Sequence, residues 1–130
     1  QGSGVSTMVK SFRDLTVWQR SIQLAVSVYG FTSAFPKEET YGLTSQMRRA
    51  TVSIASNIAE GHGRLNTKEY RQFLGTAKGS NFELQTQIEI ARALGFGDSS
   101  LANKTESLSH EVGKMIFGVL ESIKDKAQEN

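Results

Sequence analysis

The chain has 130 residues, 15 Lys and Arg against 13 Asp and Glu, and a net charge of +2, which fits one globular domain. It contains no cysteine, which excludes disulfide scaffolds, thiol catalysis and cysteine-type zinc sites and suits a reducing compartment. No apolar run is long enough to span a bilayer and no signal-peptide core is present, so we expect a cytoplasmic protein.

The ends of the chain differ in composition from its middle. Residues 1–7 are uncharged and rich in Gly and Ser, and we interpret them as a cloning remnant before a native start at Met8. The predicted domain covers residues 8–127, and we expect the polar tail at 128–130 to fray.

Charge is unevenly distributed along the domain. Residues 8–78 carry ten Lys and Arg against five Asp and Glu, a net +5, whereas residues 79–130 carry five against eight, a net −3. Such asymmetry suits binding to nucleic acid, binding to an acidic partner, or head-to-tail contact between identical subunits.

The first predicted helix runs from Leu15 to Phe35, because apolar residues recur there at spacings of three and four. Asp14 or Thr16 is expected to cap its start. Pro36 ends it, since a residue before proline is pushed out of the helical conformation. The expected core stripe consists of Leu15, Trp18, Ile22, Ala25, Tyr29 and Thr32.

The second predicted helix runs from Glu39 to Glu60. It ends in a Gly-His-Gly sequence at 61–63, where we expect a glycine in the left-handed conformation of a helix C-terminus. Its stripe consists of Leu43, Met47, Ala50, Ile54, Ile58 and Gly61, with Asn57 on or beside it.

The third predicted helix runs from Thr67 to Leu94, and Gly95 stops it. Asn66 followed three residues later by Glu69 resembles a capping box at its start. Its apolar stripe consists of Tyr70, Phe73, Leu74, Ala77, Leu84, Ile88, Ala91 and Leu94.

The fourth predicted helix runs from Ser99 to Ala127, with Asp98 or Ser99 as its cap. Its apolar positions lie close to a repeat of seven, which favours shallow crossing angles between helices. Three short connections join four helices of similar length, so neighbours must run antiparallel. The sequence therefore predicts an all-α, up-down-up-down antiparallel four-helix bundle.

Two helices carry more apolar residues than one core stripe needs. A helix with a wide apolar surface is usually covered on more than one side, and a four-helix monomer has no fifth element to provide that cover. We therefore predict an intersubunit contact. The additional apolar residues are Val17, Leu24, Val26, Val28 and Phe31 in the first helix and Ile116, Phe117 and Leu120 in the fourth.

No pattern of catalytic residues stands out. Metal sites in helical bundles use Glu-x-x-His pairs, and neither His62 nor His110 has a Glu three residues before it. Glu106 lies four residues before His110, which is a common surface pair. The Gly-His-Gly sequence has neither the preceding strand nor the Gly-Lys-Ser/Thr of a phosphate loop. We predict no catalytic residue, no metal and no cofactor, and hence a protein that is not an enzyme.

Four polar residues fall near the apolar stripes of the second and third helices, which face each other in an antiparallel pair. A buried Asn must find hydrogen-bond partners and can fix the register between helices. We interpret the four as a structural polar network, and the alternative is a functional site. They are Asn57, Glu60, Asn81 and Glu83.

Basic residues form a second group of candidates. They either bind phosphates as a stripe or form a solvated face with interspersed Glu. The predicted nucleic-acid-binding residues are Arg48, Arg49, Arg64, Lys68, Arg71 and Lys78.

Several motifs in order carry a family resemblance. Ser-Asn-Ile-Ala-Glu-Gly at 56–61 is the most specific, and the others are Phe-Arg-Asp-Leu-Thr-Val-Trp-Gln at 12–19, Tyr-Gly-Leu-Thr-Ser-Gln-Met-Arg-Arg-Ala at 41–50, Ala-Lys-Gly-Ser at 77–80, Glu-Leu-Gln-Thr-Gln at 83–87 and Leu-Gly-Phe at 94–96. Together they resemble the bacterial four helix bundle protein family, also called the 23S rRNA-intervening sequence proteins. The chain departs from the pattern at Ala55, where many members carry proline, and in a more apolar first helix.

The resemblance implies a left-handed up-down bundle and a homopentameric ring, without an established activity. A related group, the accessory variability proteins of diversity-generating retroelements, forms pentameric barrels that bind nucleic acid and a reverse transcriptase. We therefore predict an oligomeric module that contacts RNA or DNA through its basic surface. The alternative is a protein-interaction adaptor, such as a reverse-transcriptase accessory protein.

Overall fold

A computed structural model describes residues 11–129, and side chains through residue 124. The predicted remnant at 1–7 lies outside the described residues. A 3-10 turn at Phe12–Asp14 precedes the first helix, and a second one at Lys37–Glu39 precedes the second helix. The four helices are α1 (Thr16–Thr32), α2 (Leu43–His62), α3 (Thr67–Leu94) and α4 (Ser99–Glu129).

The helices form an antiparallel bundle, as predicted. Each helix packs against its neighbours in sequence, and α4 closes the bundle against α1. In the described part of the chain, no Cα atom of α1 lies within 8 Å of a Cα atom of α3, and the same holds for α2 and α4, so these pairs are diagonal to each other. Along the α3–α4 pair, contacts join Arg92 to Glu106 and Asn81 to Ser109, so residue numbers fall on one helix as they rise on the other.

The termini of α3 and α4 confirm the predicted caps. Asn66 Oδ1 accepts the Glu69 backbone N–H at 2.9 Å and begins α3. Gly95 has φ of 73° and a left-handed conformation, and it ends α3. Asp98 Oδ1 accepts the backbone N–H groups of Ser100 and Leu101 at the start of α4. These hydrogen bonds, with the seven-residue repeat, explain why sequence located these ends correctly.

The predicted caps of α1 and α2 are wrong. Leu15 is the N-cap of α1 and makes no side-chain cap bond, whereas Asp14 instead accepts the Ser11 N–H at 3.2 Å in the preceding turn. Helix α2 continues through Gly61, and Gly63 has φ of −79°, so no left-handed glycine ends it.

Gly61 allows a close approach of α3 instead. It is buried, and a Cβ atom there would lie 2.7 Å from Cβ of Phe73 and 3.0 Å from Cδ1 of Tyr70. Real Cβ atoms essentially never come this close to another heavy atom. The glycine of the Ser-Asn-Ile-Ala-Glu-Gly motif therefore permits packing between α2 and α3 rather than a turn.

Four of the five residues that we predicted as surplus on α1 lie on its core face, and Val26 is the exception. Leu24, Val28 and Phe31 are 0% exposed, whereas Ile22 and Tyr29 of the predicted stripe are 37% and 43% exposed. Both faces are apolar at helical spacing, so periodicity could not choose between them. The apolar surface that remains exposed on α1 therefore combines Ile22 and Tyr29 of the predicted stripe with Val26 of the predicted surplus set.

A polar cluster around Arg92 joins α3 to α4 near the end of α3. Arg92 donates to Glu89, Glu106 and Asn103, each at 2.8 Å. The hydrogen bond from Arg92 holds the pKa of Glu106 below its ordinary value. The acidic residues of the negatively charged half are therefore partly engaged within the bundle.

Candidate nucleic-acid interface

A groove of about 590 Å³ lies between α1 and α2, and aromatic and basic side chains line it. The Arg48 guanidinium carbon stacks 4.4 Å from the centre of the Tyr29 ring. Arg48 Nε also donates to Thr32 Oγ1 at 2.9 Å. Arg48 therefore links the two helices and forms a fixed wall of the groove.

Two other residues of the α1–α2 groove are open to solvent. Tyr41 is 96% exposed and lies in the turn before α2. Arg49 is exposed and has no carboxylate within 4.0 Å among the residues that the structure describes. Its charge is therefore available to an anion in the groove. The remaining lining is small and mostly hydroxylic: Thr40, Thr44, Ser45, Val52 and Ser53.

Arg49 connects this groove to a second recess. Arg49 and Ser53 also line a notch of about 300 Å³ between α2 and α3, where Ser80 and Glu83 form the other wall. The notch and the groove therefore flank the same two side chains of α2.

A second basic groove, of about 590 Å³, lies between α3 and α4. Lys68, Arg71 and Lys78 line it, and Leu120 lies on the α4 side. All three basic side chains are exposed and none has a carboxylate within 4.0 Å in the described part of the chain. The Lys78 ammonium lies 5.9 Å from the ring of Phe82, which is 56% exposed. The spacing of three and seven along α3 thus brings these cations together, as the sequence indicated.

Arg64 differs from the other predicted nucleic-acid-binding residues. It pairs with Glu60 at 3.1 Å and lies 4.0 Å from Glu69, and its guanidinium stacks 4.6 Å from the centre of the Phe73 ring. Two carboxylates already offset its charge, so it is the least available of the six to a phosphate.

The four residues of the predicted polar network do not come together. Glu60 pairs with Arg64, and Glu83 is exposed and 3.5 Å from Gln87 Nε2. Asn57 Nδ2 donates to the Ser53 carbonyl at 2.8 Å and to the Ser53 hydroxyl at 3.0 Å, so it reaches α3 only through Ser53.

Two separate polar contacts take the place of that network. Ser53 and Ser80 hydroxyls lie 2.9 Å apart and join α2 to α3. Asn81 is 2% exposed and faces α4 rather than α2, where it donates to the Ser109 carbonyl at 2.9 Å and accepts from the Ser109 hydroxyl at 2.7 Å. Asn81 therefore contributes to register, but between a different pair of helices.

A third groove, of about 540 Å³, lies between α1 and α4 and is mainly apolar. Ile22 and Val26 of α1 face Leu101 and Leu108 of α4 across it. Val26 is 69% exposed, so the groove presents apolar surface to solvent. Below it, a buried hydrogen bond of 2.7 Å joins the Ser27 hydroxyl to Thr105.

The described residues contain no group of three His, Asp or Glu that could hold a metal ion. His110 Nε2 lies 3.9 Å from Glu106, the surface pair that its spacing suggested, and His62 contacts Tyr70 with ring centres 6.0 Å apart. Burial raises the pKa of the Tyr70 hydroxyl. No helix among the described residues is long and apolar enough to cross a membrane.

Comparison with known proteins identifies the family of this chain and a similar fold. The profile of the 23S rRNA-intervening sequence protein family matches residues 13–118. The chain belongs to this family. Its fold is similar to that of a protein of unknown function from the S23 ribosomal protein family of Bacteroides thetaiotaomicron, with a TM-score of 0.72 and 18% identity over 81% of this chain and 98% of that one. A search of curated proteins finds no match.

Proposed function

We propose that this family member is a non-enzymatic, oligomeric module that binds RNA or DNA electrostatically. The observation that carries the proposal is the α3–α4 groove, where Lys68, Arg71 and Lys78 line one surface without carboxylate partners among the described residues. Uncompensated cations along a groove suit a polyanion, because each phosphate that they neutralise releases a condensed counterion.

Arg49 in the α1–α2 groove supports the same function. Arg49 is exposed and unpaired within the described residues, and it lines the same groove as the exposed Tyr41. Basic grooves with aromatic neighbours are typical of sequence-tolerant nucleic-acid binders. The two grooves lie on different sides of the bundle, so one subunit offers two contact surfaces.

The Lys68→Glu/Lys78→Glu double variant tests the α3–α4 groove. We expect weaker binding of a generic oligonucleotide, and a slope of log affinity against log salt reduced by about 1.5, since each phosphate contact contributes about 0.7–0.9. Fluorescence anisotropy at several salt concentrations measures both quantities.

The Lys37→Glu/Lys114→Glu variant is the matched control. Both lysines are exposed, neither lines any of the grooves or the notch described above, and the change in net charge is the same. An equal loss of affinity in the two double variants would show a general charge effect. No loss in the groove variant would contradict nucleic-acid binding there.

We propose further that the chain assembles into a homo-oligomer, and the family resemblance favours a pentamer. The apolar α1–α4 groove supports assembly, because exposed Ile22 and Val26 with Leu101 and Leu108 form a surface that a second subunit can cover. A ring would also multiply modest basic surfaces through avidity.

Val26→Glu tests this assembly. A charge in the centre of the groove is expected to reduce the particle mass measured by light scattering, because a buried unpaired carboxylate is costly. Leu65→Glu is the control, since Leu65 is fully exposed in the α2–α3 turn, outside the groove. An unchanged mass for Val26→Glu would place the subunit contact elsewhere.

The same apolar groove supports a second candidate function, a protein-interaction adaptor such as a reverse-transcriptase accessory protein. Here another protein, rather than a second copy, would cover Val26 and its neighbours. Purification from the native host with nuclease present separates the two functions. A defined partner that stays bound to wild type and is lost from Val26→Glu favours the adaptor.

A further inference from the structure

The aromatic residue at the mouth of the α1–α2 groove is exposed to an unusual degree. Tyr41 is 96% exposed, whereas Tyr29 in the same groove is 43% exposed and has Arg48 stacked on it. A large aromatic side chain with no protein neighbour contributes nothing to the core. Its ring faces are available to a planar group from outside the chain.

We infer that the α1–α2 groove binds single-stranded nucleic acid, with an unpaired base stacked on Tyr41 and the adjoining phosphate on Arg49. This inference rests on the proposed function and names the form of nucleic acid that the groove takes. Base–aromatic stacking needs an unstacked base, and a duplex already has its bases stacked against each other. A duplex can use the cations but not the ring.

The charges near Tyr41 leave Arg49 to hold the phosphate. The N-terminus of α2 would attract an anion, but Glu39 Oε1 already accepts the Leu43 backbone N–H at 3.0 Å. Arg48 is committed to Thr32 and to the Tyr29 ring. Arg49 has no such partner among the described residues and lines both this groove and the α2–α3 notch.

The rest of the lining suits a base and its ribose phosphate better than an apolar protein segment. Thr44 and Ser45 bring hydroxyls that can donate or accept at a base edge, and the Thr40 hydroxyl, which donates to the Lys37 carbonyl, can still accept. Arg49 also lines the neighbouring notch, where the Ser80 hydroxyl and the Glu83 carboxylate offer further polar groups. These features recur in proteins that hold extended single strands with little sequence preference.

The experiment measures binding of oligouridylate, of oligothymidylate, and of a mixed-sequence RNA duplex, each about 12 nucleotides per strand, to the assembled protein. Tyr41→Ala is expected to weaken binding of the single strands about tenfold, with little change for the duplex. Tyr41→Phe keeps the ring and should retain wild-type affinity.

Each outcome bears on a different claim. If wild type binds single strands and Tyr41→Ala binds them equally well, the Tyr41 site is wrong while nucleic-acid binding stands. If wild type binds neither strand form at low salt, the proposed function itself fails. If Tyr41→Ala lowers the particle mass and weakens single strand and duplex alike, the groove is a protein contact and the inference is overturned.

Discussion

Replacing Gly61 with Ala should destabilise the bundle by about 2 kcal/mol, although alanine favours helix over glycine by about 1 kcal/mol. The new Cβ would lie 2.7 Å from Cβ of Phe73, an atom tied to the α3 backbone, which cannot rotate away. Helices α2 and α3 would have to separate along their contact.

Gly79→Ala is the control and should have the opposite sign. Gly79 lies within α3, is exposed, and has no atom within 4 Å of a Cβ built there. We expect a gain of about 0.5–1 kcal/mol from helix propensity alone. Urea unfolding followed by circular dichroism, at one protein concentration because assembly adds to stability, measures both variants. Stabilisation by both would show that the α2–α3 contact is not tight at Gly61.

The Gly61 contact also bears on the candidate interface. The same α2–α3 pair carries the Ser53–Ser80 hydrogen bond and the notch beside Arg49. A wider spacing at Gly61 would change the geometry of that notch from a distance. If folded Gly61→Ala binds single strands more weakly than wild type does, the cause would be this indirect change in the geometry of the notch.

The sequence predicted where the helices lie in the chain better than it predicted which face of a helix is buried. The bounds of α3 agree at both ends, because Asn66 and Gly95 supply capping chemistry that is local in sequence. The prediction of the buried face of α1 was wrong because that face contains Ser21 and Ser27, both of which are buried. Their hydroxyls bond to the Trp18 carbonyl and to Thr105, partners that a hydropathy pattern does not include.

The candidate site was predictable only in part, for a related reason. Lys68, Arg71 and Lys78 share one helix face, so their spacing was enough to bring them together. The α1–α2 groove instead takes Tyr29 from one helix, Tyr41 from a turn and Arg49 from the next helix. Only tertiary packing makes those neighbours. The one available signal was an aromatic residue at 41 that lies outside the apolar stripe of the second predicted helix.

Asn81 and Ser109 offer the second large effect on stability. Asn81→Ala should cost about 2–3 kcal/mol, because it removes two buried hydrogen bonds and leaves a small cavity. Asn81 Nδ2 and Oδ1 are both engaged by Ser109, at 2.9 and 2.7 Å. Ser109→Ala should cost less, since the carbonyl that accepts from Asn81 remains in place.

A double-mutant cycle separates this pair from general loss of packing. The combined Asn81→Ala/Ser109→Ala variant should be less destabilised than the two single variants added together, with a coupling of about 1 kcal/mol. Thr86→Ala is the control, because its hydroxyl bonds only to the Phe82 carbonyl one turn earlier on an exposed face. Additive losses would mean that the hydrogen bond between the Ser109 hydroxyl and Asn81 Oδ1 does not stabilise the bundle. Unchanged stability with impaired nucleic-acid binding would make Asn81 a functional residue, because a side chain that only fixes the register of α3 on α4 must affect folding first.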